Sequence, residues 1–507
     1  MLVFFRDNLT VQRITQVNDR PSSYFKKVND SLHVKFVHKE NKSYDFYEHE
    51  LHLRVYTNEG PAIATGDING DGNDDFIVGG AKGQSTSIFL GQDHGVFFKN
   101  SLAINKDKEV TALSLFDLDG DDDLDLYIGY GHNGSKSNDD LQDEIYINNG
   151  KGEFTLSRDA LPEIKTVTSK VIAYDFDQDG DDDLFVASRV IPNHYLLVPK
   201  SHFLENRNGK LQDVSNFALP NDGKLGRIAA ARLMQNQNSN VPLILFTGDW
   251  QGIHALSFDN DKFILHKDFV GSGNNGLWTS LEVNDLDGDG DMDIIAGNYG
   301  ENTPFFASAS HPFKMYYADL NGNNRPDPII FNYLNEAYYP IHLRNNFLNQ
   351  FQNKKKLFNR FYDYSKATYD DIFSNDERQK LNSLDVQTFK STVFENVQNK
   401  FTPHILPPEV QFSPINATKV VSINDKKYIV AVGNDNVHEV FTGPKNASLG
   451  EMIEVVDNFN FKRVQMDKSG LLIPGAAKHI EEVKNNQAVI LLISQNNDSL
   501  LVYELKK

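Results

Sequence analysis

Five short stretches of the sequence place acidic or amide side chains at alternate positions, a pattern that can hold a metal ion. The clearest is Asp285-Leu-Asp287-Gly-Asp289-Gly-Asp291-Met-Asp293. Carboxylates this close together repel one another unless a counter-charge lies among them. A hard divalent cation supplies that charge, and Ca²⁺ is the ion that accepts many flexible carboxylate and carbonyl ligands. The spacing therefore predicts calcium loops.

The same nine-residue register recurs four more times, so the candidate ligands can be named by their position in the loop. Positions one, three, five and nine would offer side-chain oxygens, and position seven would offer its backbone carbonyl. The predicted metal-binding residues are Asp67, Asn69, Asp71, Asn73 and Asp75 (loop 1); Asp117, Asp119, Asp121, Asp123 and Asp125 (loop 2); Asp175, Asp177, Asp179, Asp181 and Asp183 (loop 3); Asp285, Asp287, Asp289, Asp291 and Asp293 (loop 4); and Asp319, Asn321, Asn323, Arg325 and Asp327 (loop 5). Only two of the loop 5 residues are acidic, so of up to five Ca²⁺ ions we expect this one to be held most weakly.

The residues after position nine exclude the commonest alternative calcium loop, the EF-hand. That motif needs a bidentate Glu at position twelve, on a helix. Position twelve is apolar in all five copies: Val78, Ile128, Val186, Ala296 and Ile330. The short runs around it are rich in β-branched and aromatic residues, which favours strands. Each loop therefore joins two strands, and five copies in one register favour metal loops over solvated acidic turns.

The spacing of the repeats predicts an all-β fold, a seven-bladed β-propeller with four-stranded blades. Repeat frames begin at Asp67, Asp117, Asp175, about 233, Asp285, Asp319 and about 424. The frames near 233 and 424 lack acidic residues, and we expect no ion there. Closure of the ring predicts that the C-terminal strands, 488–493 and 499–505, pair with the N-terminal segment or the first repeat.

The long gap before the last frame predicts a partly helical insertion at about 339–408, between blades 6 and 7. Its aromatic stripe has near-helical spacing and favours packing over a binding groove; the stripe is Phe347, Leu348, Phe351, Phe358 and Phe361. The domain prediction is then a tail or linker at 1–44, a possible remnant of an upstream domain, and a propeller at 45–507.

Composition narrows the classes of function. The net charge of −20 argues against nucleic-acid binding. The chain has no cysteine, which excludes disulfide bonds and thiolate chemistry. No apolar run approaches the roughly 20 residues of a membrane-spanning helix. Extracellular calcium modules bind at about 10⁻⁴–10⁻³ M, which predicts an extracellular or cell-surface location. The first residues do not form a signal peptide, so we expect the chain to be a piece of a longer exported protein.

The stretch Gly66-Asp67-Ile-Asn69-Gly-Asp71-Gly72, with Gly79-Gly80-Ala81, resembles the FG-GAP or VCBS repeats of integrin-α-like β-propellers. A wider set of stretches resembles bacterial VCBS-repeat proteins of the cartilage-acidic-protein-like class: 141–146, 188–192, 276–278, 297–302 and 327–330. Residues 8–17 resemble the tail of the ASPIC/UnbV segment of that class. The resemblance implies a seven-bladed propeller, calcium between the first two strands of a blade, export, and often another propeller upstream.

Two hypotheses for function remain. The first is a calcium-stabilised binding, adhesion or scaffold module that is not an enzyme, with an unknown protein or glycan as its ligand. The alternative is a polysaccharide lyase or hydrolase, which needs a general acid or base outside the calcium loops. Its candidate groups are Arg189 with His194 and Tyr195, Trp278 with Asn298 and Glu301, and Asp249 with Trp250. No nucleophile–base spacing accompanies them, so we assign no catalytic residue.

Overall fold

The computed structural model describes residues 23–42, 46, 50–92, 95–102, 106–132, 141–237, 239–439, 441–485 and 488–506. The segment 8–17, which resembles the tail of an ASPIC/UnbV segment, lies outside the described residues. The described chain is mainly β-structure. It forms eight antiparallel sheets of four strands, one of which gains a short fifth strand.

In blades 1 to 4 each strand pairs with the next one along the chain. After a short strand β1 (Phe25–Lys27), blade 1 comprises β2 (Ile63–Gly66), β3 (Asp75–Val78), β4 (Ser87–Gly91) and β5 (Phe97–Ser101); blade 2 comprises β6 (Glu109–Phe116), β7 (Asp125–Gly131), β8 (Glu144–Ile147) and β9 (Thr155–Ser157); blade 3 comprises β10 (Thr168–Tyr174), β11 (Asp183–Ser188), β12 (His202–Asn206) and β13 (Leu211–Asp213); and blade 4 comprises β14 (Ile228–Met234), β15 (Leu243–Gln251), β16 (His254–Asp259) and β17 (Lys262–His266). The extra strand β18 (Gly276–Leu277) pairs with β15.

Blade 5 contains a large insertion between its second and third strands. Its first two strands are β19 (Ser280–Asn284) and β20 (Asp293–Gly297). The insertion has a sheet of its own, made of β21 (Phe313–Ala318), β22 (Asp327–Leu334), β23 (Ala337–Pro340) and β24 (Asn382–Val386). Blade 5 resumes with β25 (Thr392–Val397) and β26 (Lys400–Ile405), and Ile294 of β20 lies opposite Phe394 of β25.

Blade 7 closes the ring by combining the two ends of the described chain. Blade 6 comprises β27 (Ile415–Ile423), β28 (Lys426–Gly433), β29 (Glu451–Val456) and β30 (Asn460–Val464), and blade 7 comprises β31 (Ala476–Asn485), β32 (Ala488–Asn496) and β33 (Leu501–Leu505). The fourth strand of blade 7 is β1, in which Phe25 pairs with Leu505. This confirms that the C-terminal strands pair with the N-terminal segment. Residues 25–27, inside the predicted tail, therefore belong to the propeller.

The helices are short, and several lie in the insertion. The α-helices are Ser215–Ala218, Arg344–Gln350, Phe361–Ser365, Tyr369–Ile372, Asn375–Arg378 and Met466–Ser469, and the 3-10 helices are Pro220–Gly223, Gln352–Lys354, Pro408–Phe412 and Asp457–Phe459. None of the helices in the described chain has the length and apolar character that crossing a membrane requires.

The first strands of the seven blades form a closed inner ring. Contacts run in order through β2, β6, β10, β14, β19, β27 and β31, and β31 returns to β2. The second strands lie between neighbouring sheets, so both their faces are covered: β3, β7, β11 and β20 are buried at every residue. Strands covered on both faces form continuous apolar runs instead of alternating patterns. The predicted all-β, seven-bladed architecture is confirmed.

Apolar packing between blades holds the ring together. Each of seven buried clusters joins one blade to the next; one, for example, combines Ile77 of blade 1 with Leu126 and Ile128 of blade 2. The other six occupy the equivalent interfaces around the ring, including the interface between blades 7 and 1. No blade buries its apolar faces alone, so the ring is stable only as a closed array.

The position of the insertion corrects two sequence predictions. The frame at Asp319 is not a sixth blade, because its sheet lies within the insertion and outside the inner ring. The frame near 424 forms blade 6, and the predicted insertion at 339–408 includes β25 and β26, which belong to blade 5. The insertion runs between β20 and β25, not between blades 6 and 7. A hairpin of the insertion has the same local pattern as a ring repeat, and only long-range pairing distinguishes the two.

The closing strand gives a test of the ring. Phe25 is 1% exposed and packs in the cluster between blades 6 and 7. Phe25→Ala should lower the free energy of unfolding by about 3–4 kcal/mol, because it leaves a cavity at the closure. The exposed neighbour is the control: Lys26→Ala should cost under about 0.5 kcal/mol. Equal effects of the two variants in denaturant titrations would contradict closure by β1.

Candidate metal centre

Four of the five acidic loops join the first and second strands of ring blades. Loops 1, 2, 3 and 4 belong to blades 1, 2, 3 and 5, and loop 5 joins β21 to β22 in the insertion. Side chains of blades 2 and 3 reach the loop of the preceding blade: the Asn148 amide donates to the Ile68 carbonyl of loop 1, and that of Asn206 donates to the Leu118 carbonyl of loop 2. Loops 1, 2 and 3 therefore stand side by side on one face of the ring.

Backbone N–H groups fold each loop around its first carboxylate. In loop 1, Gly72 N donates to Asp67 Oδ2 at 2.8 Å, and Asn73 N donates to Asp71 Oδ1 at 2.9 Å. The equivalent bonds recur in loops 2, 3 and 4, where they measure 2.8–3.2 Å. These bonds orient the carboxylates of positions one and five toward the inside of the turn.

The acidic side chains of three loops converge closely enough to share one ion. In each group below, one oxygen from every residue lies within 4.8 Å of the others. The groups are Asp117, Asp119 and Asp125 in loop 2; Asp175, Asp177 and Asp179 in loop 3; and Asp285, Asp287 and Asp289 in loop 4. The donors are all hard oxygens, a set that suits Ca²⁺ or Mg²⁺ and not softer metals. The residues present therefore fit a hard divalent cation.

The Asp at position nine also ties its loop to the third strand of its sheet. Asp75 is fully buried; its Oδ2 accepts Ile68 N at 2.8 Å and its Oδ1 accepts Gly91 N at 2.6 Å. The same pair of bonds is made by Asp125, Asp183 and Asp293. A carboxylate oxygen has more than one acceptor site, so these bonds leave room for a metal.

Burial makes the negative charge of these loops costly. It raises the pKa of Asp75 and Asp183 to about 7, and the pKa of Asp125 and Asp293 to about 6, with neighbouring carboxylates adding to the effect. Burial and neighbouring carboxylates also raise the pKa of the position-three residues Asp119, Asp177 and Asp287. A bound cation would remove this penalty, because it favours the charged form.

Loop 5 differs from the others in its ninth residue. Asp327 Oδ1 accepts the side-chain amide of Asn321 at 3.2 Å and that of Gln350, which comes from the insertion helix Arg344–Gln350. In the ring blades, a backbone N–H of the third strand occupies this place. With amide donors on its buried carboxylate and fewer acidic ligands, loop 5 offers the least charge to an ion.

In three of these sites, an asparagine at the end of the third strand donates a hydrogen bond to the ninth Asp. The sequence analysis did not predict this contact. Asn148, Asn206 and Asn396 are buried, and their backbone N–H groups donate to the ninth Asp of loops 2, 3 and 4. Their side-chain oxygens accept N–H groups of the following turn. The repeated Asn/Gly turns at 148–150 and 206–209 were the available signal.

The side chain at position seven also has a role that the sequence did not indicate. The prediction gave position seven a backbone carbonyl ligand and left its side chain free. Asp181 Oδ2 accepts Asn208 N at 3.2 Å, and Asp291 Oδ2 accepts Gln398 N at 2.8 Å. Both donors lie in the turn after the third strand, so the loop and that turn form one hydrogen-bonded unit.

One residue from each of two groups of catalytic candidates takes part in a buried ion pair. Arg189 and Asp249, which came from separate sequence proposals, lie together with Nη2 and Oδ2 3.0 Å apart. Trp250 stacks on Phe313 at 5.6 Å between ring centres. Tyr195 packs inside a small cluster, and the Nδ1 atom of His194 is buried.

The remaining candidates are Trp278, Asn298 and Glu301. Trp278 and Asn298 are fully buried, and each donates to a backbone carbonyl, of Asn274 and Thr388 respectively, at 3.0 Å. Glu301 faces Lys390 at 3.6 Å with half of its side chain exposed. These contacts are those of packing residues.

Charged side chains of the inner strands line the central channel. Lys170 Nζ lies 3.2 Å from His479 Nδ1. Farther along, Arg232 faces Glu282 at 3.5 Å and Lys419 faces Glu481 at 3.7 Å. Burial lowers the pKa of Lys170 to about 7 and the pKa of His479 well below its usual value, and nearby cations add to both effects. Five inner strands thus place charged or titratable side chains in the channel, and the sequence analysis did not single these residues out.

The asparagine link between blades can be tested. Asn206→Ala should lower the free energy of unfolding by about 2–3 kcal/mol, because it leaves the Leu118 carbonyl and the Gly209 N–H without their partners. The control is the exposed turn residue beside it: Arg207→Ala should cost under about 0.5 kcal/mol. A loss for Asn206→Ala no larger than that of the control would contradict the link.

Position four of loop 3 carries removable strain. Gln178 has φ of 61°, where loops 1, 2, 4 and 5 have glycine at the equivalent position. Gln178→Gly should raise stability by about 0.5–1 kcal/mol, because glycine adopts this conformation without a steric penalty. Gln178→Ala keeps the strain and should give no gain. Thermal denaturation of the wild type and the two variants in one buffer tests this prediction. A gain in stability from alanine as large as that from glycine would contradict the assignment of strain to Gln178.

Lys170 predicts a pH-dependent term in stability. Its pKa is lower in the folded chain than in the unfolded chain, so the wild type should lose stability as the pH falls from about 10 to about 7. Lys170→Met removes this term and should be more stable than the wild type by about 1–2 kcal/mol at pH 7, with the difference shrinking toward pH 10. The free energies of unfolding are measured by urea titration. If the difference between the two proteins stays constant from pH 7 to pH 10, the pKa of Lys170 is not lowered by folding.

A family model for the FG-GAP-like repeat matches residues 132–186. The match runs from the end of β7 into β11 and contains the whole of loop 3. No curated protein matches the sequence.

Solved structures that match the chain include an ancestral GH74 enzyme, with 10% identity and a TM-score of 0.40, covering 90% of this chain and 48% of that chain. They also include BBS1N in complex with ARL6DN, with 9% identity and a TM-score of 0.38, covering 90% of this chain and 93% of that one. A third is the V. cholerae biofilm matrix protein Bap1, with 10% identity and a TM-score of 0.35, covering 93% and 91%. The chain thus spans about half the length of the GH74 enzyme.

The family match and the strand topology agree with each other. The matched segment contains one acidic loop between the first two strands of a blade, and the same unit recurs in blades 1, 2 and 5. The chain is therefore a β-propeller that contains an FG-GAP-like repeat at residues 132–186.

Proposed function

We propose that the chain is a calcium-stabilised propeller that acts as a binding, adhesion or scaffold module outside the cell. The observation that carries the proposal is the repeated convergence of three carboxylates at the same place in blades 2, 3 and 5. Positions one, three, five and nine would hold the ion with side-chain oxygens, and position seven with its carbonyl. Bound calcium would supply positive charge to loops 2, 3 and 4, in which all five predicted metal-binding residues are aspartates.

Calcium suits these loops better than magnesium. Each loop offers about five protein oxygens on a flexible, glycine-containing turn, whereas Mg²⁺ demands near-ideal octahedral geometry and keeps several waters. Each ion would join the first and second strands of its blade. Asn148 and Asn206 would link these loops to the loop of the preceding blade through hydrogen bonds. Loops of this kind are saturated at millimolar calcium, which supports an extracellular or cell-surface location. The resemblance to the cartilage-acidic-protein-like class supports the same location.

A binding role is better supported than a catalytic one. The candidate acid and base groups are used in packing: Arg189 pairs with Asp249, and Trp278 and Asn298 are buried against backbone carbonyls. A protein or a glycan remains the proposed class of ligand. The competing proposal, a carbohydrate lyase or hydrolase, is tested by assays for reducing ends and unsaturated products over a panel of polysaccharides. Product formation would establish the enzyme and overturn the binding role.

Calcium should raise the thermal stability of the chain. Saturating a single site with a dissociation constant of about 10⁻⁴ M at 10 mM calcium adds about 2.7 kcal/mol. The melting midpoint in calcium should therefore lie several degrees above the midpoint in chelator. A melting midpoint that is the same in calcium and in chelator would contradict the calcium proposal.

Asp287→Ala tests one ligand in loop 4. Its loss of stability should be larger in calcium than in chelator, by about 2 kcal/mol, because the variant loses the energy of one ion. Asp159→Ala, at an exposed aspartate outside the acidic loops, should behave alike in both buffers. Equal losses for Asp287→Ala in the two buffers would mean that Asp287 is not a ligand.

A further inference from the structure

The insertion carries an exposed segment that combines apolar and basic side chains. Of the predicted aromatic stripe, Phe347, Leu348, Phe351 and Phe358 are buried in the core of the insertion, as the packing interpretation requires. Phe361 is not. It stands with its neighbours in a surface that we call the basic aromatic patch: Lys355, Lys356, Leu357, Arg360, Phe361 and Tyr362.

The apolar side chains of the patch are not needed for packing. Leu357, Phe361 and Tyr362 are 62%, 66% and 64% exposed. The same segment already turns Phe358 and Tyr364 inward, where both are buried. Large apolar side chains that point outward from a segment whose inner face is filled indicate a contact surface.

Cations hold the two exposed rings in place. The guanidinium carbon of Arg344 lies 4.9 Å from the centre of the Phe361 ring, and Arg344 is itself anchored to the Asn359 carbonyl at 2.9 Å. Lys366 Nζ donates to the Tyr362 hydroxyl and lies 4.1 Å from the centre of the ring. These pairs keep the rings exposed and place positive charge beside each of them.

The patch is basic in a strongly acidic chain. Lys355, Lys356 and Arg360 are exposed in the patch, and Lys366 is exposed next to it. Residues 355–366 contain one acid, the exposed Asp363, whereas the whole chain carries a net charge of −20. The charge of the patch is therefore complementary to an anionic surface and opposite to that of the rest of the molecule.

We propose that the basic aromatic patch docks the propeller onto an anionic lipid surface. Leu357, Phe361 and Tyr362 would enter the headgroup region while the lysines and Arg360 meet lipid phosphates, the combination that favours interfacial binding. Side chains more than three-fifths exposed protrude, which suits a soft surface better than it suits a peptide in a groove. A second copy docked through the same patch would bring like charges together. The proposal goes beyond the calcium-stabilised propeller and needs no ion in the patch.

Vesicle co-sedimentation tests the proposal on the full chain in calcium buffer. The chain should bind vesicles of phosphatidylglycerol and phosphatidylcholine, bind phosphatidylcholine vesicles far less, and lose binding as NaCl rises from 0.1 to 0.5 M. The double variant Lys355→Gln, Lys356→Gln should lower the partition coefficient about 25-fold, because each lost cation should lower it about fivefold. Phe361→Ser with Tyr362→Ser should lower it about tenfold.

Phe217→Ser is the matched control. Phe217 is 61% exposed and has Lys262 Nζ 4.5 Å from its ring centre, but it lies outside the insertion, so its loss should leave partition unchanged. Asp159→Ala, at an exposed aspartate outside both the patch and the acidic loops, should also leave partition unchanged. All variants are compared only at temperatures where circular dichroism shows them folded.

Four results would overturn the proposal. They are equal binding to the two kinds of vesicle, no binding to either, patch variants that bind as well as the wild type, and a concentration-dependent dimer in sedimentation that the patch variants abolish. The last would assign the patch to a second copy of the chain. None of these results bears on calcium binding, which the melting experiments decide separately.

Discussion

Crowded negative oxygens at the turn between the first two strands are the constraint on which the rest of the structure depends. In loops 2, 3 and 4, three carboxylates approach within 4.8 Å of one another, and burial raises the pKa of the ninth residue of each. Backbone N–H groups offset part of this repulsion, but they are dipoles and not charges. A divalent cation would supply the positive charge that the N–H groups lack. Because the ion would bind only the folded loop, its binding would also stabilise the fold.

The loops are also where neighbouring blades are joined by polar contacts. The ninth Asp ties its loop to the third strand, and the asparagine at the end of that strand reaches the previous loop in blades 2 and 3. Apolar clusters then join each pair of neighbouring blades, from the interface of blades 1 and 2 to that of blades 7 and 1. Because the ring depends on contacts between repeats, blades 4, 6 and 7 keep their place in it without acidic loops.

The sequence predicts local features well because the metal loop and the strands beside it are encoded within a dozen residues. The fold class and the strand–loop–strand units followed from that pattern. Closure of the ring predicted that the C-terminal strands pair with the N-terminal segment or the first repeat, and the structure shows the N-terminal segment. The place of the insertion did not, because Ile294 pairs with Phe394 across the whole insertion, and no local signal marks such a pair. Loop 5 has the local pattern of a ring repeat, and only its pairing partners show that its sheet lies elsewhere.

Side-chain roles were harder to predict than backbone positions. Asn148 and Asn206 appeared in the sequence as turn residues, and their contacts with the previous blade depend on the assembled ring. Arg189 and Asp249 seemed to belong to separate sites, but the ring brings them together as an ion pair. The channel pair Lys170 and His479 lies on two inner strands, with 309 positions of sequence between the two residues.

Equilibrium dialysis at millimolar calcium, with the bound ion counted per chain, tests the central claim most directly. The account predicts at least three ions for each chain, one for each group of converging carboxylates in loops 2, 3 and 4. A folded chain that binds no calcium under these conditions would contradict it, because the crowded carboxylates would then be stable without a cation.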